Sequence, residues 1–373
     1  MTRPSTTRNP RTTRTTRYLL SACTGLAVQA VLSGCSDETS RYAKTIGDYE
    51  LDAVPARQIS RPEIGKPLDE LTREACDRQA ASSLARALLN AGYRREAANV
   101  LVKFAGKCPQ GVALLPGAIP ILTSIGDLPA ALEAATRVVA ENGTSPQARF
   151  ARAEVLRGAG RYSEALDDYM AVLSLADQPA RVSGDVFAGA AEARAKTGQP
   201  CEASGLIRMW IGWDPARRNT AQARALAEKY ALAGQCERAT AKRPQTFARK
   251  RGEVVMARVS VNGHPGTFVV DTGASFVSFS EAFAQQAGVS AEKARRIQLR
   301  TANGLTDAML TTSKTVTLGT AEAADVSVAI VKGTPFGPKI DGLLGQSFLS
   351  QFEVNFQPDR WTLGERSENE ARH

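Results

Sequence analysis

Apolar residues fall at helical spacing between residues 76 and 240, and beyond residue 253 they occur in short alternating runs, so the chain changes architecture at that point. In the first stretch Ala80, Leu84 and Leu88 share one helical face, and Ala97, Val100, Leu101 and Phe104 share another. A glycine lies between the two faces. The same pattern recurs down the chain: Gly92 precedes Ala97, Gly126 precedes Ala131, Gly160 precedes Ala165, Gly198 precedes Ala203 and Gly234 precedes Ala239. Successive glycines stand 34, 34, 38 and 36 residues apart. Each unit therefore predicts helix, glycine turn, helix, and stacking such units builds one continuous apolar core.

The second stretch, residues 253–366, predicts an all-β domain with one or two small helices. Residues 254–261 and 266–270 flank Asn262-Gly263 and predict a hairpin. Strands near 296–302 and 307–318 bracket a second tip at Asn303-Gly304, and a further strand is expected at 326–331. Residues 280–287 predict a short helix, and so does the segment after Leu343-Leu344-Gly345; strands at 353–356 and 360–363 follow. Residues 241–252 are basic and carry Pro244, which cannot continue a helix, so they read as a linker. Residues 35–75 read as a tether and residues 367–373 as a tail.

The helical array resembles the tetratricopeptide repeat. The best match runs from Ala148 to Leu175, with Leu156, Gly160, Tyr162, Ala165 and Tyr169 in fitting order. The fourth unit departs from the pattern: it has Arg194 where a leucine is expected, and Cys201 and Cys236 are unusual in such helices. The resemblance implies a concave surface for a protein or peptide partner.

Composition and charge narrow the chemistry. Five arginines and no acidic residue lie in residues 1–34, and removing them from the formal net charge of +9 leaves +4, too little to support nucleic-acid binding. The apolar run from Tyr18 to Leu32 after those arginines suits a cleaved signal, and Leu32-Ser33-Gly34-Cys35 resembles a bacterial lipoprotein signal. That implies a lipid on Cys35, attachment to a membrane, and a location on the periplasmic side of the cell envelope; an uncleaved membrane anchor is the other reading. Disulfides persist in that compartment. Of the three pairings open to Cys76, Cys108, Cys201 and Cys236, the helical units favour Cys76–Cys108 and Cys201–Cys236, with buried free thiols as the alternative. Only two histidines are present, His264 and His373, which argues against a histidine-based triad or a histidine-ligated metal. Hydrolysis, if any, falls to carboxylates.

One carboxylate stands out. Asp271-Thr272-Gly273-Ala274 follows the apolar run Thr267-Phe268-Val269-Val270, which places Asp271 at the rigid end of a buried strand, with Gly273 for a tight turn. With the tip at Asn303-Gly304 and the apolar element Leu343-Leu344-Gly345 further on, the domain resembles the retropepsin-like aspartic peptidases. The resemblance implies Asp271 as catalytic aspartate, Thr272 as the residue linking two active-site loops across a dimer, and Gly273 as the turn residue. It also implies Asn303 and Gly304 as a flap over bound peptide, and Leu343, Leu344 and Gly345 as support for the loop. Asp341, just before that element, reads as a solvated turn carboxylate.

Such chemistry needs two carboxylates sharing a proton and neither metal nor organic cofactor. The chain has one Asp-Thr-Gly and no Asp-Ser-Gly, so a two-lobed single-chain enzyme is excluded and a homodimer is expected. Ala274 offers no hydroxyl beside the pair, which predicts a pH optimum less acidic than that of a gastric peptidase. The competing reading is an envelope scaffold that uses the repeats and an inactive barrel for binding.

Overall fold

The computed structural model describes residues 40–250, 252–292, 294–301, 304–333 and 336–366. Three helices come first: α1 (Ala43–Tyr49), α2 (Ala56–Ile59) and α3 (Pro62–Arg73). They occupy most of the stretch read as a tether. Tyr49, Leu51, Ile59, Ile64 and Leu68 are buried in the same apolar cluster as Leu84 and Leu88 of the first repeat. Their apolar positions mark one face of short helices, and that face needs a partner to become ordered.

Four helical hairpins follow. They are α4 (Arg78–Asn90) with α5 (Arg94–Lys107), α6 (Leu115–Ser124) with α7 (Leu128–Glu141), α8 (Pro146–Gly158) with α9 (Tyr162–Leu175), and α10 (Gly184–Lys196) with α11 (Pro200–Trp213). The turn glycines Gly92, Gly126, Gly160 and Gly198 all have left-handed backbone, with φ of 90°, 79°, 73° and 83°, which side chains rarely tolerate. Ala97, Ala131, Ala165 and Ala203 are completely buried. Any larger side chain there would push the paired helices apart.

The fifth glycine behaves differently. Gly234 ends α13 (Ala221–Gly234), which follows the single turn α12 (Pro215–Arg218), and the next residues form a strand instead of a second helix. A Cβ on Gly234 would lie 2.7 Å from Cys201 Sγ and 2.8 Å from Cys236 Sγ. The glycine here makes room for a disulfide and does not shape a hairpin turn. Both disulfides are formed, Cys76–Cys108 and Cys201–Cys236, each with Cα atoms 5.4 Å apart.

The C-terminal domain is a closed β-barrel. Its strands are β1 (Thr240–Ala241), β2 (Gln245–Ala248), β3 (Met256–Val261), β4 (His264–Val270), β5 (Val277–Ser280), β6 (Arg295–Thr301), β7 (Gly304–Leu318), β8 (Ala321–Val331), β9 (Gly342–Leu344), β10 (Phe352–Phe356) and β11 (Arg360–Glu365). Two small helices accompany them, α14 (Glu281–Gln286) and α15 (Gln346–Leu349). The order β8-β5-β9-β4-β3-β7 closes when β7 pairs back onto β8. His264, which falls between the two predicted strands 254–261 and 266–270, opens β4 and packs edge-on against Phe283. Part of the expected linker is ordered as well, because β2 pairs with β11 and stacks Phe247 on Trp361.

Helices and barrel share a core. Phe276, Ile297, Ala308, Leu310, Ala329 and Val331 of the barrel belong to one buried cluster with Tyr169, Leu173, Phe187 and Leu206 of the helices. A Cβ on Gly212 of α11 would lie 2.3 Å from Ser350 Cβ, so the glycine lets that helix reach the end of α15. The repeats are thus built into the barrel and do not form a separate arm.

Candidate active site

Strand β4 carries the chain to Asp271. Phe268 is completely buried, and the strand is flanked by β3 on one side and by β9, running parallel to it, on the other. Strand β9 also pairs antiparallel with β5, so it is threaded between the strand that enters the candidate loop and the strand that leaves it. Two layers of backbone bonding fix the loop in this way. The Asp271 N–H donates to Leu344 O at 3.1 Å, and the Ala274 N–H donates to Asp271 O at 3.3 Å.

The carboxylate accepts from within its own loop. The Gly273 N–H donates to Asp271 Oδ1 at 2.8 Å, an Asx-type turn that holds the acid in one orientation. Gly273 is not among the residues with left-handed backbone. Its value lies in space: an added Cβ would sit 3.2 Å from Asp271 Oδ1 and press on the carboxylate. Thr272 and Gly273 are exposed, while Ser275, Phe276 and Val277 behind them are buried.

The segment Leu343-Leu344-Gly345 lies directly under the loop. A Cβ on Gly345 would come within 2.3 Å of Phe276 O and 2.9 Å of Ala274 O, so only glycine admits so close an approach of two backbones. Beyond it the Gln346 N–H donates to Ala274 O at 2.9 Å and the Ser347 N–H to Ser275 O at 3.0 Å. These are free donors at the start of α15, and the loop satisfies them. The Gln346 side chain, 7% exposed, reaches back to donate from Nε2 to Thr272 O at 3.0 Å. Ser347 Oγ accepts from Val277 N at 2.9 Å. Gln346 and Ser347 carry no sequence signature beyond being a polar pair directly after an apolar-apolar-glycine run.

Asp341 is not a solvated turn carboxylate. Its Oδ2 accepts from Thr267 N at 2.8 Å, its N–H donates to Thr267 O at 2.8 Å, and its carbonyl accepts from Ser280 N. The residue clamps the entry of β9 to β4 and β5. Its side chain replaces the ladder partner that β4 lacks where β9 has not yet begun.

The hairpin of β6 and β7 supplies the expected tip. Thr301 pairs with Gly304, whose φ of 105° suits only glycine, and the Thr301 hydroxyl donates to Gly304 O at 2.9 Å. Asn303 lies outside the described residues, as does Cys35. Two arginines of β6 reach the helices: Arg295 donates to Ser163 O at 3.0 Å and pairs with Asp167, and Arg300 donates to Leu175 O at 2.9 Å.

A buried ion pair stands behind this contact. Arg194 and Glu202 approach to 2.7 Å with side chains 6% and 9% exposed, and Glu202 also accepts from Thr312 of the barrel at 2.7 Å. Burial holds the Arg194 guanidinium below the usual arginine range, against the pull of Glu202. The arginine that broke the repeat pattern is therefore the one that faces the barrel through its partner acid.

Residues 257–351 match the family model described as "gag-polyprotein putative aspartyl protease". Among solved structures, the chain is similar to a retropepsin-like aspartic protease from Rickettsia conorii, at 26% identity and a TM-score of 0.26, over 32% of this chain and 89% of that one. It is also similar to the MamA protein at 17% identity and a TM-score of 0.37, over 48% of this chain and 95% of that one. YrrB, described as a TPR protein with an unusual peptide-binding site, aligns at 20% identity and a TM-score of 0.35, over 50% of this chain and 97% of that one. No curated protein matches the chain. The C-terminal domain is a retropepsin-like aspartic protease domain, joined to tetratricopeptide-like helical repeats.

Proposed function

We propose that the protein is an aspartic endopeptidase that acts as a homodimer, each subunit contributing one Asp271. One observation carries this reading. Asp271 is held at the end of β4 by its own turn, while the next two residues, Thr272 and Gly273, are exposed ahead of the buried Ser275, Phe276 and Val277. A second copy brought there across a two-fold axis would pair loop with loop and complete a dyad.

Two carboxylates brought about 3 Å apart do not both carry a charge cheaply, so the pair would share one proton. The ionised member takes a proton from a water bound between them, and that water attacks the scissile carbonyl. The protonated member donates to the carbonyl oxygen, and the tetrahedral intermediate then collapses as the amide nitrogen leaves with a proton. Gly273 and Gln346 take no part in proton transfer; they hold the loop that presents the acid. The chain would be lipidated on Cys35 and act on proteins at the periplasmic face of the envelope, which the arginine-flanked apolar run and the two disulfides support.

The test uses the chain from Cys35 onward with a peptide library. We expect cleavage that is lost in Asp271→Asn, blocked by a statine-type peptide, and reduced per subunit when the protein is diluted below its dimer dissociation constant. Cleavage that survives in Asp271→Asn would sink the mechanism. A verified dimer that cleaves nothing would instead favour a scaffold.

A further inference from the structure

The geometry points to the turn after α9, Ala176 and Asp177, anchored through the buried carbonyls of Leu173 and Leu175, as an end wall of the substrate cleft. Ser275 and Arg300 act there as positioning residues, and the repeats thereby take part in selecting the peptide. This rests on the peptidase reading above.

The last carbonyls of a helix have no partner within the helix. In α9 two of them are taken by the barrel, one by the active-site loop and one by the β6–β7 hairpin. Leu173 O accepts from Ser275 Oγ at 3.3 Å, and Ser275 is four residues beyond Asp271 in the active-site loop. Leu175 O accepts from Arg300 Nε at 2.9 Å, and Arg300 is four residues before Gly304 at the hairpin tip. Asp177 pairs with the same guanidinium at 2.9 Å. The cation also stands at the negative end of the helix dipole, which favours it further.

Strand β6 follows the whole helix, since Arg295 holds Ser163 at the other end, and Phe276 and Ile297 are buried in the helical core. Loop and hairpin are therefore registered to one rigid element of the repeats.

Four residues of extended chain span at most about 14 Å. The turn from Asp271 to Ala274 keeps Ser275 inside that limit, so a peptide lying across Asp271 would meet the wall with its third or fourth residue on one side of the scissile bond. The chemistry offered is acidic: the Asp177 side chain is 81% exposed, and its one ion pair leaves most of its acceptor sites open. A basic side chain at that position fits. In a two-fold dimer the second copy places the same wall at the other end, so the preference should appear at equal distances on both sides.

The experiment compares the wild-type chain with Asp177→Lys, Arg300→Ala and Asp271→Asn on peptides carrying Lys or Glu at the third and fourth positions from the scissile bond. Asp177→Lys is expected to change the Lys-to-Glu ratio of kcat/KM by about tenfold at those positions, lowering it for Lys peptides relative to Glu peptides. An unaltered profile would overturn the wall.

Amide hydrogen exchange is read in parallel. Arg300→Ala should speed exchange in residues 271–277 as well as 295–301, by about tenfold, while residues 321–331 keep their protection. Faster exchange confined to 295–301 would overturn the positioning role even if peptides are cleaved normally. A wild-type chain that cleaves nothing, or activity that survives in Asp271→Asn, fails the peptidase reading and with it the wall, and the exchange result then judges the positioning role alone.

Discussion

At the scale of single residues, the candidate carboxylate was readable from the sequence and most of what holds it was not. Asp271 stands out because an acid, a hydroxyl residue and a glycine follow an apolar strand. Its supports are ordinary residues whose roles come from distant backbone. Gln346 carries no signature, yet it ties α15 to Thr272 O from 74 positions away. Asp341 looked like a surface turn for the same reason, since its partner Thr267 is equally far along the chain. Gln346→Ala should loosen the exposed Thr272-Gly273 turn without opening the core. We expect kcat to fall by about tenfold to a hundredfold, the range that misplacement of a catalytic group by about an ångström produces, with KM and melting temperature changing little. Steady-state kinetics and a thermal melt check this together. A fall in Tm matching the loss of activity would make the residue merely structural.

At the scale of elements, the long periodic segments could be read and the short inserted ones could not. The four glycine turns and their alanines announce the hairpins because each repeats the same steric demand. Strands β5 and β9, with four and three residues, are too short to show a period, and β9 gains its place only by lying between β4 and β5. The fifth glycine misled because the same residue type answers a different demand, room for two sulfurs.

Arg194 looked like a defect in the fourth repeat, but it pairs inside the interface with Glu202, which in turn accepts from Thr312. Restoring leucine at 194 alone should therefore destabilise the protein, by about 3–5 kcal/mol, because Glu202 is left buried without its cation. Arg194→Leu combined with Glu202→Gln should recover most of that loss, since an amide keeps a bond to Thr312 without the charge. Denaturant melts of the single and double variants give the answer, and additivity of the two changes would show that the pair is not coupled.

At the scale of the molecule, the sequence divides the chain into helical repeats, a linker and a β-domain, and the packing joins repeats and barrel into one body. The composition break near residue 253 is real, but it marks a change of secondary structure inside a shared core. Interfaces of this kind are invisible to periodicity, because Phe276, Ile297, Leu310 and Val331 look like any inward residues of a barrel. They face helices. Cutting the chain at 253 would expose that cluster, strip β2 from β11, and leave Ser275 and Arg300 without the carbonyls they bind. The isolated segment 253–366 should then fail to fold as a soluble monomer, and dimerisation through the active-site loop would not rescue it, because all of the exposed apolar cluster except Phe276 lies on β6, β7 and β8. The chain from residue 40 onward should instead melt in a single transition, with helical circular dichroism and the fluorescence of Trp361, read in a Trp210→Phe, Trp213→Phe background, changing at the same temperature. Two separated transitions, or a soluble folded 253–366 fragment with native cleavage, would show that barrel and repeats are energetically independent.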